Sequence, residues 1–268
     1  MLALHHRLRP VAALLSAVAL FVCAALASDA AGVIHIRPED LPEPGATESV
    51  GNPPITLPQM APDLLALPNG FEVKLWADGL QIPRQAYVAA NGDVLVVETG
   101  ARKVTLMRDT AGDGVADLRA DLMTDLRQPF GIDMHDGYLY VANTDSVLRA
   151  RYTVGEERLS DAPETVVDGI PPGGHWTRDV IFSPSGEKMY VSIGSASNID
   201  EEEPPRASIV EYNPDGSGGR TYASGLRNPV GLRFSPTTAK LWTAVNERDG
   251  LGDDLPPDYV TSVADGAF

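Results

Sequence analysis

Leu126-Arg127-Gln128-Pro129 decides the fold, because it returns along the chain. Leu80-Gln81-Ile82-Pro83 precedes it and Leu226-Arg227-Asn228-Pro229 follows it, each leading into a short apolar run bounded by turn residues. Around the quoted copy, Gly131-Ile132-Asp133-Met134 runs to the turn Asp136-Gly137, then Tyr138-Leu139-Tyr140-Val141 and Ser146-Val147-Leu148-Arg149-Ala150. Alternating apolar and polar residues over such lengths mark half-buried strands. A repeat of roughly 45 to 50 residues with about four short strands is the pattern of a β-propeller blade. A β-sandwich is the competing all-β arrangement, but it gives no reason for the same Leu-x-x-Pro loop to recur at the same place in each unit.

The other units echo the first. Phe71-Glu72-Val73-Lys74-Leu75-Trp76 alternates and is expected to be a strand, followed by Ala86-Tyr87-Val88, Val94 to Glu98 and Lys103 to Met107. Leu118 to Met123 is expected to open the second unit. In the third unit, Glu164 to Val167 leads to the loop Gly173-Gly174-His175-Trp176-Thr177-Arg178, and then to Asp179-Val180-Ile181-Phe182, Lys188 to Ile193 and Ser208 to Tyr212. The fourth holds Arg220 to Ala223, Val230 to Phe234 and Lys240 to Val245. The expected fold is therefore all-β, with about four propeller blades and part of a fifth.

Composition agrees. The 268 residues include 25 Gly and 22 Pro, which suit a turn-rich β protein better than a helical bundle. The formal net charge of -16 and the lack of any basic cluster exclude nucleic acid as a natural partner, since that contact needs grouped Lys and Arg. Residues 1–27 read as a secretory signal: a basic start at Arg7 and Arg9, an apolar run from Val11 to Leu26, and the small-x-small site Ala25-Leu26-Ala27. A membrane anchor is the alternative, but the run is short and ends in small residues. The one cysteine, Cys23, lies inside this segment, and Val22 before it is larger than the residue a lipidation site carries. The exported chain, periplasmic or secreted, would then have no membrane span and no disulfide framework. Residues 28–66, rich in Pro, read as an extended arm, and 67–268 as the propeller.

A propeller places the loops that lead into equivalent strands at one rim of a central channel. Gln128, His175, Arg227 and Asn228 occupy that loop in three units. Polar groups converging from separate blades can build a cofactor pocket. An imidazole, with an ordinary pKa of roughly 6.5, exchanges a proton near neutral pH. The alternative is that His175 caps a strand and that Arg227 and Asn228 only brace their loop. Asp109 to Asp117 partly matches a calcium loop, but Ala111 and Ala120 break its ligand positions and a hairpin turn is expected. Glu201-Glu202-Glu203 is expected to be a solvated loop. His35 in the arm and His135 at a strand end make no zinc triad with His175.

Gly-Gly-His-Trp-Thr-Arg (173–178), Ser-Ile-Gly-Ser (192–195), Gly-Leu-Arg-Asn-Pro-Val-Gly-Leu (225–232) and Asn-Glu-Arg-Asp-Gly-Leu-Gly-Asp-Asp (246–254) resemble the soluble pyrroloquinoline quinone (PQQ)-dependent sugar dehydrogenases, the L-sorbosone dehydrogenase-like branch in particular. The resemblance covers about residues 65 to 268. It implies a six-bladed propeller with PQQ and calcium at the channel mouth, oxidising an aldose or sorbosone-like sugar at C1. By the same resemblance His175 is the base, Arg227 the cation on the quinone oxygens, and Asn228 and Gln128 cofactor neighbours. By the same resemblance Asp249 and Gly250 fall where backbone carbonyls hold calcium, and Asp254 near an acidic residue of that loop. Ser195 stands where the glucose dehydrogenase branch has an acid paired with the base, so another group, such as Asp179, would have to orient His175. The chain stops at Asp265-Gly266-Ala267-Phe268, short of the blades that carry the family's other cationic contacts, which implies a shortened form. A non-catalytic propeller that binds a protein or glycan, or an inactive fragment, are the rival readings.

Overall fold

The computed structural model describes residues 37–51, 55 and 65–268. The signal segment lies outside the described residues, as do 28–36 and much of 52–64 of the arm. The chain divides into two units, Met1–Glu43 and Pro44–Phe268. The described part of the first holds one 3-10 turn, Pro38–Asp40. All the strands among the described residues belong to the second.

Among the described residues fifteen strands form four antiparallel sheets, each a consecutive meander. The first blade is β1 (Pro83–Val88), β2 (Val94–Glu98), β3 (Lys103–Arg108) and β4 (Leu118–Met123). The second is β5 (Gly131–His135), β6 (Tyr138–Ala142), β7 (Val147–Arg151) and β8 (Glu164–Val167). The third is β9 (Val180–Phe182), β10 (Met189–Ile193), β11 (Ser208–Tyr212) and β12 (Arg220–Ser224). The fourth has three strands, β13 (Pro229–Phe234), β14 (Leu241–Val245) and β15 (Tyr259–Val263). First strands of successive sheets adjoin one another, β1 with β5, β5 with β9 and β9 with β13, so the sheets radiate as propeller blades do.

Side-chain alternation explains why blades stack. In β6, Leu139 and Val141 pack toward the first blade with Leu95, Val97, Val104 and Leu106. Their neighbours Tyr140 and Ala142 pack toward the third blade with Val180, Met189, Val191 and Ile193. A third cluster joins blades three and four through Ile181, Tyr190, Ile209, Leu232, Leu241 and Val245. A strand covered on both faces reads as a nearly continuous apolar run, as β2 does, whereas the outer strand β4 keeps the exposed alternation. A sandwich would bury one face of each sheet; here the middle blades bury both.

Two strand assignments differ from the expectation. Phe71 to Trp76 joins no ladder: Phe71 is exposed, and Trp76 bonds only through its carbonyl to the Ala116 N–H. Alternation records a half-covered extended segment but not whether a partner strand lies beside it. Leu118 to Met123 closes the first blade instead of opening the second, and β8 and β12 likewise close theirs. The strand read as the start of a further unit is thus the outer strand of the preceding one, and β15 belongs to the fourth blade.

Polar side chains near the axis strap each blade to the next. Gln85 Oε1 accepts the Ile132 N–H at 3.4 Å, Asp133 accepts from Phe182 at 3.2 Å, and Asp179 accepts from Leu232 at 2.7 Å. The Asp109 loop is a turn, as expected: its carboxylate accepts the N–H groups of Gly112, Asp113 and Gly114. Part of the Pro-rich arm lies along the 251–253 loop, where Gly252 and Asp253 donate to the hydroxyls of Ser49 and Thr47. Among the described residues no helix is long and apolar enough to cross a membrane.

Candidate active site at the rim of the blades

His175 stands on a loop that only glycine can shape. Gly173 and Gly174 have φ of +82° and +59°, and a Cβ on Gly174 would lie 2.5 Å from the Ala196 backbone. That close approach sets the His175 ring against Ser195. The His175 N–H donates to the Ser195 carbonyl at 2.9 Å. His175 Nδ1 is 3.0 Å from that same oxygen and 3.0 Å from Ser195 Oγ. A carbonyl only accepts, and Ser195 Oγ already donates to the Ser197 carbonyl at 2.7 Å. Both contacts therefore place the hydrogen on Nδ1 and leave the lone pair of the neutral ring on Nε2. No described residue bonds Nε2.

Asp179 is not the orienting group. Its carboxylate is fully buried and accepts the N–H groups of Val180 and Leu232 at 2.9 and 2.7 Å. Burial pushes its pKa up to about 6, against the hydrogen bonds from Leu232, Gln85 and Val180 and the charge of Arg233. The orienting role falls to Ser195, and the carboxylate sits one step further back. Glu202 Oε1 accepts from Ala196 N at 2.6 Å, Ser197 N at 2.8 Å and Ser197 Oγ at 3.0 Å. Burial alone would raise its pKa, but these donors hold it below the usual carboxylate range. Glu202 is thus a brace for the turn, not a merely solvated charge.

Two guanidiniums hold the loop carbonyls. Arg178 is fully buried and donates to the carbonyls of His175, Thr177 and Pro171 at 2.5, 2.8 and 2.8 Å. Arg206 donates to those of Gly173 and Pro172 at 2.9 and 2.7 Å. Burial, with the nearby charge of Arg206, brings the Arg178 pKa down to about 10. No residue-type pattern announced this, because the acceptors are backbone atoms.

The fourth blade supplies the facing groups. The Arg227 carbonyl accepts the Ser195 N–H at 2.7 Å, tying the two loops together. A Cβ on Gly194 would lie 2.5 Å from His175 Cβ and 2.7 Å from Asn228 Oδ1, so the imidazole and the amide flank one glycine. Asn228 Oδ1 is buried without a hydrogen-bond partner. The Arg227 side chain donates to Asn198 O at 3.1 Å, Asn198 Oδ1 at 2.6 Å, Asn246 O at 3.2 Å and Asp249 Oδ2 at 2.9 Å. Four of its N–H groups are engaged, leaving one on Nη1. Asn198 was not foreseen; it also donates to the Asp249 carbonyl at 2.7 Å. Gln128 is exposed on its loop, in a left-handed conformation with φ of +45°, as is Ile82 at +48° before the equivalent proline. Its loop adjoins that of His175 through an edge-to-face contact of Phe130 with Trp176 at 6.2 Å. No direct bond joins Gln128 to His175.

The three residues expected at the metal, Asp249, Gly250 and Asp254, lie on the loop after β14. Asp249 turns its carboxylate to Arg227 and its carbonyl to Asn198. Gly250 is open and Asp254 exposed, and no three acidic, His or Cys side chains cluster as metal ligands among the described residues. The groups expected to face a cofactor are brought together. The free Nε2 of His175, the unpartnered Asn228 Oδ1 and the remaining Arg227 N–H lie on two adjoining, hydrogen-bonded loops. A cavity of about 660 Å³ opens on the first blade beside Glu98, Lys103, Arg119 and Asp121, and none of the His175, Asn228 and Arg227 groups lines it.

Radiating antiparallel sheets, with an oriented imidazole and a guanidinium on neighbouring rim loops, define a β-propeller arrangement. The chain belongs to the TrAA12-like family, whose model matches residues 65–257. It is 28% identical over 206 residues to a pyrroloquinoline quinone-dependent sugar dehydrogenase of Hypocrea jecorina, covering 68% of this chain and 47% of that protein. It is 25% identical over 216 residues to an uncharacterized protein of Borreliella burgdorferi, covering 75% of this chain and 54% of the other. In fold it is similar to the holo form of the pyranose dehydrogenase PQQ domain of Coprinopsis cinerea, with a TM-score of 0.65 and 24% identity over 75% of this chain and 55% of that one. The chain spans about half the length of the curated relatives it matches.

Proposed function

We propose that this chain carries the base-bearing part of a PQQ-dependent sugar dehydrogenase, acting on an aldose or sorbosone-like sugar at C1. The observation that carries the reading is the fixed tautomer of His175. With the hydrogen on Nδ1 held by Ser195, Nε2 takes the proton of the C1 hydroxyl as hydride leaves C1. PQQ, when bound, supplies the two-electron acceptor. Arg227 offers its remaining N–H to an oxygen that gains negative charge, and the cation favours that charge. Asn228 Oδ1, buried without a partner beside Gly194, is an acceptor held next to the imidazole. The basic and then apolar N-terminus supports action outside the cytoplasm.

The test is reduction of a redox dye by purified protein given PQQ and a series of aldoses and sorbosone, with and without calcium. Turnover that disappears in His175→Ala is the expected result. Sugar or protein binding without turnover, or no response to PQQ, would replace this reading with that of a binding module.

A further inference from the structure

The loop after β14 is held at its base and at its tip. At the base, the Asp258 carboxylate accepts from the Asn246 side chain at 2.9 Å and from the Glu247 N–H at 2.8 Å. At the tip, the holder is the Pro-rich arm. The Gly45 N–H donates to the Leu251 carbonyl at 2.7 Å, while the Gly252 and Asp253 N–H groups donate to Ser49 Oγ at 3.0 Å and Thr47 Oγ1 at 2.8 Å. A Cβ on Gly252 would lie 3.0 Å from Thr47 Oγ1 and 3.5 Å from the Thr47 carbonyl oxygen, so a glycine there lets the arm pass this close. Arm segment and loop belong to the same unit, Pro44–Phe268, yet the arm segment precedes the residues 65–257 that the family model matches.

Asp249 lies between the two holds. Its carboxylate accepts from Arg227 Nη2 at 2.9 Å, its N–H donates to Asn198 Oδ1 at 2.9 Å and its carbonyl accepts from the Asn198 amide at 2.7 Å. The Asp249 side chain is 87% exposed, and an ion pair in solvent contributes little by itself. Gly250 at φ of +85° and Gly252 at +130° give the loop backbone extra freedom. The ion pair is therefore too weak to fix such a loop, and the arm supplies three further bonds at Leu251, Gly252 and Asp253. We propose that Thr47 and Ser49 are positioning residues: they clasp the loop tip and, through Asp249, set the direction of the Arg227 fork. The effect on turnover rests on the dehydrogenase reading, and the effect on Arg227 does not.

The test compares the wild type with the double variant Thr47→Val, Ser49→Ala, which removes both hydroxyls, and with Thr47→Ser, Ser49→Thr, which keeps them. Both positions are exposed, so neither change touches the core. Amide exchange at Gly252 and Asp253 reads the clasp. The NMR signals of the Arg227 side-chain N–H groups read the fork, and dye reduction with PQQ and aldoses reads kcat and KM. Without the hydroxyls, exchange at the two amides accelerates about 2- to 10-fold, the scale of one hydrogen bond. The Arg227 signals shift, and kcat falls by a similar factor with KM unchanged, because Arg227 acts on charge that develops in the transition state. The hydroxyl-keeping variant behaves as the wild type does. Unaltered exchange at Gly252 and Asp253 overturns the clasp. Accelerated exchange with the Arg227 signals unmoved, or with turnover as in the wild type, overturns the positioning role, as does a fall in kcat that the hydroxyl-keeping variant shares. Arm-dependent Arg227 signals in a wild type that oxidises no sugar would sink the dehydrogenase reading and leave the clasp standing.

Discussion

Ser195 presents two oxygens to one nitrogen: its carbonyl and its hydroxyl each lie 3.0 Å from His175 Nδ1. The carbonyl alone fixes the tautomer, so Ser195→Ala should keep Nε2 basic and lose only part of the ring's orientation. One hydrogen bond is worth about 0.5–1.5 kcal/mol, hence a fall in kcat of about 2- to 10-fold. His175→Ala should cost far more, about 100- to 10,000-fold, as loss of a general base does. Steady-state kinetics of the two variants checks the ratio. Equal losses would mean that the serine hydroxyl does more than orient the ring.

Glu202 should act on His175 through the turn between them. Removing its carboxylate in Glu202→Ala frees the N–H groups of Ala196 and Ser197 and the Ser197 hydroxyl. Amide exchange at Ala196 and Ser197 should accelerate, and kcat should fall with little change in KM. Glu202→Gln keeps an acceptor oxygen and should recover most of the loss. The sign of the pH dependence follows from the lowered pKa. The brace is present above the ordinary carboxyl range and is lost only as pH falls through the lower folded value. Protection at these two amides should therefore persist in mild acid, and exchange measured down a pH series tests it.

The propeller was legible because a loop motif recurs and because strands covered on both faces are apolar throughout. The phase of the blades was not. The stretch Leu118 to Met123 looks the same whether it closes one sheet or opens the next, and only its pairing with β3 decides. The rim loops of His175 and Arg227 stood out by residue type. Their supports did not: Arg178, Arg206 and Ser195 act on or through backbone atoms, whose positions depend on loop conformation. Glu202 sat in a run of three acids and carried no mark separating it from Glu201 and Glu203. The partners of Asp249 carried no mark either: Asn198 donates to its carbonyl and Arg227 to its carboxylate, contacts set by loop conformation.

Gly194 holds the imidazole and the Asn228 amide at their spacing. A methyl group there would come within 2.5 Å of His175 Cβ and 2.7 Å of Asn228 Oδ1, so both must move. Overpacking of this kind costs about 1–3 kcal/mol. Gly194→Ala should lower thermal stability by that order and reduce turnover more than Ser195→Ala does. Gly173→Ala is the control. Nothing lies within 4 Å of its Cβ, and its cost comes from φ of +82° alone. A Gly194 variant with unchanged kinetics would show that the two side chains are not positioned by this contact.

Asp179 ties the stability of the blade three to blade four junction to pH. Burial raises its pKa to about 6, so the folded state holds this proton more tightly than the unfolded chain. A raised carboxyl pKa gives stability that is full below the ordinary carboxyl range and is lost as pH climbs through about 6. The groups facing it are Gln85, the N–H groups of Leu232 and Val180, and the charge of Arg233, none of which titrates in that window. Asp179→Asn keeps the shape and removes the titration, but it turns an amide N–H toward a backbone donor, at a cost of about 1–3 kcal/mol. The variant should therefore be less stable than the wild type in acid. The gap should narrow by on the order of 2–3 kcal/mol between pH 4 and pH 7, since one pKa unit is worth about 1.4 kcal/mol. Denaturant unfolding of both proteins across that range measures it. A gap that stays constant with pH would show that this carboxyl is ionised throughout, and that Leu232 and Val180 rather than burial set its charge.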